Sequence, residues 1–282
     1  MSNTQNNLTE PPAPSAPFPR LRIGCVPYLN ARPLIEWFHT PECDADAQVD
    51  YAVPSRLADM LREDRLDAAM VSIIELFRNP SLRIVPDISI SSDGEVKSVR
   101  LFSRVPPERI ERVALDTSSL TSVALTQILL REVYQRAPRF ISHPPDLDAM
   151  LSLCDAGLII GDLKLFDTPV PYVLDLGALW RQHTGLPFVY AAWLARTDAP
   201  KAPLLDALIR AKRWGMEHRG EYIERWAAQM SLPAERVREY LCRIVHFDLD
   251  PPKWEGMRLF QRKCYEHGLI ASLSPLRLFA QE

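Results

Sequence analysis

From Leu21 onward, short apolar runs alternate with stretches of helical spacing, and that alternation restricts the chain to an α/β architecture. Leu21–Val26 and Val49–Val53 read as strands, with helix-like Leu34–His39 between them. Pro54–Arg65 has helical apolar spacing at Leu57, Met60 and Leu61, and its proline stands in the first turn, where a missing N–H costs nothing. Ala68–Val71 is a short strand and Ile73–Phe77 a helical turn; Leu82–Ile90 and Lys97–Ser103 are further strands. A second unit begins after Pro106-Pro107 with strand Arg112–Leu115 and a long helix over Thr117–Arg136. Strands Phe140–Ser142 and Leu158–Ile160 flank a helical stretch, Asp146–Cys154, and Tyr172–Leu176 and Phe188–Leu194 are the next strand candidates. The rest is helical: Leu204–His218, Glu221–Met230, Ala234–Arg243 and Trp254–His267.

With 282 residues the chain can build two lobes of ordinary size. The C-terminal helices need a sheet to cover, and the first lobe is the nearest. The chain would then pass from lobe one to lobe two and back, crossing near Ser103–Pro107 and Ala191–Arg196. This predicts lobe I over 20–104 and 196–282, lobe II over 105–195, and a disordered proline-rich tail over 1–19. Two crossings make a hinge with a cleft between mixed sheets, the two-lobed architecture of type II periplasmic binding proteins.

Several function classes lose support. A net charge of −3 offers no electrostatic case for nucleic acid. No apolar run approaches the ~20 residues that span a bilayer, and the N-terminus lacks the basic start and apolar core of a secretory signal, so a cytoplasmic location is predicted. The five cysteines never form a C-x-x-C pair and the six histidines have no ligand spacing, which argues against a metal site. Dinucleotide, P-loop and nucleophile-elbow glycine motifs are all missing, so any catalysis is expected to proceed without a cofactor.

Chemistry concentrates at strand ends. Val26-Pro27-Tyr28-Leu29-Asn30-Ala31-Arg32-Pro33-Leu34 joins the first strand to a helix, so Tyr28 and Asn30 can face a cleft at the C-terminal sheet edge or simply sit in a tight turn. Thr117, Ser118, Ser119, Thr121 and Ser122 place five hydroxyls at a predicted helix start, more than capping needs and suited to a carboxylate or phosphate. Ser72 repeats the arrangement in the first lobe, as cap or ligand contact. Ser98 is a cleft-facing or a solvated strand serine. Asp162, after Leu158–Gly161, can cap a helix, bind a ligand hydroxyl or act as a base; Glu75 is either a buried carboxylate near the cleft or a surface residue. Lys97, Arg32 and Arg100 can supply positive charge.

Taken together, Ile23–Leu34, Val71-Ser72-Ile73-Ile74-Glu75, Lys97–Ser103, Leu115–Leu125 and Leu158–Asp162 resemble, in the same order, the chorismate dehydratase family of the futalosine route to menaquinone. Ile73 departs from the pattern, where a second small polar residue would be expected. The resemblance implies a two-lobed fold closing over chorismate, a small-molecule substrate, and a hydro-lyase reaction yielding 3-[(1-carboxyvinyl)oxy]benzoate. It implies Asn30 as the key catalytic contact, orienting substrate and stabilising charge as the proton leaves. Tyr28 would pack on the ring or the enolpyruvyl arm; Ser118–Ser122 would hold one carboxylate, and Ser72 and Ser98 the second carboxylate or the ring hydroxyl. The matched motifs offer no convincing His or Lys base, so the substrate's own enolpyruvyl carboxylate would take the proton. Two alternatives are a cytoplasmic binding protein or sensor for a small aromatic carboxylate, and the related dihydroxynaphthoate synthase.

Overall fold

The computed structural model describes residues 20–279 except 117, 119, 162, 163 and 165–167. The expectations for the 1–19 tail, Thr117, Ser119 and Asp162 therefore lie outside the described residues. Two five-stranded mixed sheets carry the fold. The first holds β1 (Leu21–Cys25), β2 (Ala47–Tyr51), β3 (Ala68–Ser72), β4 (Leu82–Ser92) and β10 (Phe188–Arg196), in the order β2-β1-β3-β10-β4. The second holds β5 (Val99–Ser103), β6 (Arg112–Asp116), β7 (Arg139–His143), β8 (Ala156–Ile160) and β9 (Tyr172–Asp175), ordered β7-β6-β8-β5-β9. In each sheet one returning strand runs antiparallel to its neighbours: β10 between β3 and β4, and β5 between β8 and β9. Central β3 is Ala-Ala-Met-Val-Ser and wholly buried, whereas edge strand β2 alternates polar residues toward solvent.

Sheet membership moves both crossings upstream of the predicted sites. β5 lies wholly in the second sheet and β10 wholly in the first, so the chain passes between sheets at 93–98 and again between β9 and β10. Pro106-Pro107, where the sequence places the boundary, instead begins a 3-10 turn inside the second unit. The second passage holds a helix absent from the sequence reading, α6 (Leu176–Thr184), whose N-cap Asp175 is also the last residue of β9. With no loop between strand and helix, the change of period had no punctuation to mark it.

The other helices are α1 (Arg32–Ile35), α2 (Pro54–Arg62), α3 (Ile74–Arg78), α4 (Leu120–Tyr134), α5 (Leu147–Leu153), α7 (Lys201–Met230), α8 (Ala234–Glu239) and α9 (Pro251–Glu266). The C-terminal helices do cover the first lobe: α7 packs on α1 and β4, and α9 on β10. One apolar core runs through both lobes, and a smaller cluster around Phe102, Met150 and Ile159 lies under α5. Among the described residues no helix is long and apolar enough to cross a membrane.

The two helices read as Leu204–His218 and Glu221–Met230 are one continuous helix, α7. Gly220 does not break it, because a single glycine costs a helix only about 1 kcal/mol and tertiary packing on both sides outweighs that. A Cβ at Gly220 would meet nothing within 4 Å, whereas one at Gly215 would lie 1.7 Å from the Pro33 carbonyl oxygen. Gly215 thus lets α7 press directly on the backbone of α1, just behind the Tyr28–Asn30 turn.

On the far side, Glu132 of α4 gathers hydrogen bonds from His183 Nε2 of α6 (2.7 Å), Lys263 Nζ of α9 (2.5 Å) and His267 Nε2 beyond α9 (2.8 Å). Burial alone would raise its pKa, but these three donors prevail and hold it down at about 2.

Two predictions follow from this packing. Gly220→Ala should stabilise the protein by about 0.5–1 kcal/mol, while Gly215→Ala should cost about 1–3 kcal/mol through overpacking; urea unfolding of the two variants measures both. For Glu132, the native carboxyl titrates below its unfolded value, so its stabilisation is present above the ordinary carboxylate range and disappears as pH falls toward about 2. Glu132→Gln should lower neutral-pH stability by about 1–2 kcal/mol after allowance for solvent screening. It should also flatten the stability profile across that acid window, as thermal melts at stepped pH would show.

Candidate active site

The C-terminal ends of β1 and β3, the start of α4, and the first passage between sheets converge on one cavity of about 590 Å³, its open mouth included. Of the predicted residues, Tyr28, Asn30, Ser72, Ser98 and Ser122 line it together. β1 ends at Cys25, Pro27 breaks the strand, and Leu29–Ala31 form a 3-10 turn that runs into α1 with Pro33 in its first turn. This turn holds Asn30 at the cavity wall.

The Asn30 amide is half-satisfied. Its Nδ2 donates to Tyr240 Oη at 3.3 Å, and its Oδ1 is buried without a hydrogen-bond partner. Tyr240 Oη also bonds Ser98 Oγ at 2.7 Å. Burial drives the Tyr240 phenol up to about 12, against the opposing effect of its Ser98 and Asn30 hydrogen bonds. Tyr28, partly buried, is likewise raised by desolvation, with a hydrogen bond to Ser118 pulling the other way. It reaches across the lobes, since the position of a Cβ on Gly161 lies 3.7 Å from its ring.

Two predicted residues outside the cavity lining make bonds within the protein. Ser118 Oγ donates to Asp116 Oδ1 at 2.6 Å, and Ser118 N donates to the same oxygen at 2.9 Å. Thr121 is fully buried, and its Oγ1 accepts from the Ile74 N–H at 3.3 Å, which ties α4 of the second lobe to α3 of the first. Neither is among the residues lining the cavity.

Charge stays outside. Among the described residues lining the cavity none is charged. Glu75 is buried but pairs with Arg62 at 2.7 Å, away from the cavity lining. The three cations singled out in the sequence each meet a carboxylate: Lys97 with Glu239 (2.9 Å), Arg32 with Glu36 (3.7 Å) and Arg100 with Asp175 (3.9 Å).

The sequence reading missed Tyr240, Tyr190 and Ser91, which also line the cavity. Tyr240 opens a five-residue π-helical turn, Tyr240–Ile244, that interrupts the predicted helix Ala234–Arg243. In sequence it sits beside Val237 and Leu241 and looks like core; the available signal was a phenol on an apolar face, which needs a partner once buried. Ser91 belongs to a serine-rich end of β4, Ser89-Ile90-Ser91-Ser92, whose three hydroxyls are fully buried. Hydroxyls in a buried strand demand partners, and that was legible.

A family model described as menaquinone biosynthesis matches residues 21–266. A chorismate dehydratase from Thermus thermophilus is 31% identical over 258 residues, covering 84% of this chain and 93% of the relative. Among solved structures, a protein from Archaeoglobus fulgidus superposes with a TM-score of 0.74 at 18% identity, over 89% of this chain and 98% of the other. A Candida albicans gene product described as having the generic periplasmic binding protein fold gives 0.61 at 12% identity, over 90% and 92%. At these identities the two structural likenesses speak to fold alone, and the fold is of the periplasmic-binding-protein kind.

The bond between Thr121 and Ile74 makes closure testable. Thr121→Val keeps the shape but leaves a buried N–H unpaired, at a cost of about 1–2 kcal/mol to the arrangement in which the lobes touch here. An increase in the radius of gyration of the free protein by small-angle scattering is the expected outcome; unchanged scattering would mean that closure does not depend on this contact.

Proposed function

We propose that this chain, which belongs to the menaquinone biosynthesis family, is a chorismate dehydratase whose lobes close over chorismate and remove water to give 3-[(1-carboxyvinyl)oxy]benzoate. The observation that carries this reading at the site is the orphaned Asn30 Oδ1, a buried acceptor on the wall of a cavity otherwise rich in neutral hydroxyls. A buried acceptor left unpaired costs about 1–3 kcal/mol, so a ligand that brings a hydroxyl to it is favoured. The ring hydroxyl of chorismate is such a donor.

The two carboxylates of chorismate meet uncharged donors. Ser122, in the first turn of α4, sits where free backbone N–H groups and the positive end of the helix favour an anion. Thr117 and Ser119 belong to the same segment. Ser72 at the end of β3 and Ser98 just before β5 serve the second carboxylate or the hydroxyl. Tyr28 packs along the ring or the enolpyruvyl arm.

In the reaction the ring C–H beside the ether oxygen breaks, its electron pair becomes the last double bond of the aromatic ring, and the neighbouring C–O bond breaks. The departing hydroxyl collects that same proton from the group that first accepts it and leaves as water. Aromatisation supplies the driving force, so the protein need only hold the reacting groups in line. The phenols at the site are raised by burial and stay protonated, unsuited to taking a carbon-bound proton. The substrate's enolpyruvyl carboxylate takes it instead, with Asn30 fixing the ring.

Incubation with chorismate, followed by ultraviolet absorbance and mass spectrometry of the product, tests the activity. Asn30→Ala should lower kcat/KM by on the order of 10²–10³-fold. Glu75→Gln and Asp162→Asn should keep turnover within about tenfold of the parent. Loss of turnover in either, with chorismate binding intact, would assign a protein base in place of the substrate carboxylate. Binding without turnover by the unaltered protein would retire the dehydratase reading in favour of a binding protein.

A further inference from the structure

We infer that Tyr240 is a positioning residue that fixes which way the Asn30 amide points, and with it the hydrogen-bond polarity of the cleft; the inference rests on the dehydratase reading above. A carboxamide has two nearly isosteric ends, one acceptor and one donor, so a site that needs the oxygen must hold the group against a flip. Here the hold is a directed chain. Asn30 Nδ2 donates to Tyr240 Oη at 3.3 Å. Tyr240 Oη and Ser98 Oγ lie 2.7 Å apart and either hydroxyl can donate; with Oη already accepting from Asn30, the arrangement that gives the phenol proton an acceptor has Tyr240 donating to Ser98. Ser98 then has its own proton to offer the cavity it lines. The chain thus delivers one bare acceptor, Asn30 Oδ1, and one donor, the Ser98 O–H, on the same wall.

Tyr240 suits this task because it is locked. Its ring is 2% exposed, and it opens the π-helical turn that ends α8, closed by the Val245 N–H on the Tyr240 carbonyl at 3.0 Å. Single π turns inside helices often mark functional sites, since the extra residue re-aims a side chain. Here the re-aimed phenol comes from the C-terminal segment and meets Asn30 of the first strand–helix turn and Ser98 of the first passage between sheets. A flipped amide would turn a donor into the cleft and leave the ring hydroxyl without its acceptor.

The test uses the full-length protein, Tyr240→Phe, Ser98→Ala and the double variant, with steady-state kinetics on chorismate and nitrogen-15 NMR of the Asn30 side-chain amide without ligand. Asn30→Ala identifies the resonances. Tyr240→Phe should lower kcat on the order of 10²-fold and leave KM within about threefold. The double variant should be no worse than the poorer single one, because the chain acts as a unit. The Asn30 amide resonances should move in Tyr240→Phe and also in Ser98→Ala, where the freed tyrosine hydroxyl can turn back toward Oδ1. Wild-type kcat in Tyr240→Phe, or multiplying effects in the double variant, would overturn the inference. If the unaltered protein fails to turn over chorismate, the dehydratase reading falls, and the amide resonances decide alone: shifted in Tyr240→Phe, the positioning role stands; unmoved, it falls too. Should Tyr240→Phe not fold, Ser98→Ala carries the same decision, and unshifted amide resonances there refute it.

Discussion

The geometry of the cleft depends on one carboxylate at the hinge. Asp175 ends β9, caps α6 through the Ala178 N–H at 3.0 Å, and accepts from the Val96 and Lys97 N–H groups at 3.0 and 2.7 Å. The two passages between sheets are therefore pinned to the same side chain. Lys97 adopts a left-handed backbone conformation with φ at 60°, costly for a residue with a Cβ and sustained only where the surroundings over-determine it. The Asp175 carboxylate supplies that over-determination. The turn it holds starts β5 and aims Ser98 at Tyr240, so hinge and hydrogen-bond chain share one anchor.

That the described lining is neutral while the substrate is a dianion is less paradoxical than it looks. A buried cation would need a counter-ion or a large desolvation cost whenever the cleft stood empty. Hydroxyls, backbone N–H groups and a helix start hold an anion without carrying net charge, and they tolerate water in the ligand's absence. Arg32, Lys97 and Arg100 are paired with Glu36, Glu239 and Asp175.

Much of this was legible in the chain before folding. The strand–turn–helix at Tyr28–Asn30, the strand end at Ser72 and the helix start at Ser122 are local signals, each read from a change of hydrophobic period beside a polar residue. What resisted reading was non-local or lacked punctuation. The crossings fell earlier than Pro106-Pro107 suggested, because β5 is assigned to its sheet by pairing with β8 and β9, which no local pattern encodes. Helix α6 follows β9 without a loop. Thr121 lies in the same hydroxyl cluster as Ser122 yet points at Ile74, since neighbouring positions on a helix face about 100° apart.

The C-terminal helices show why the site could not be assembled from the motif segments alone. Gly215 allows α7 to rest on the Pro33 carbonyl, which backs the turn carrying Asn30. The π turn after α8 then brings Tyr240 to the front of that same turn. Asn30 is thus held from behind by a helix with no side chain at the contact, and from the front by a buried phenol. Its turn has no capping hydrogen bond from its own flanking side chains, so the order it needs must come from these distant residues. A first-strand motif can name the candidate amide, but only the returning end of the chain brings Tyr240 to it.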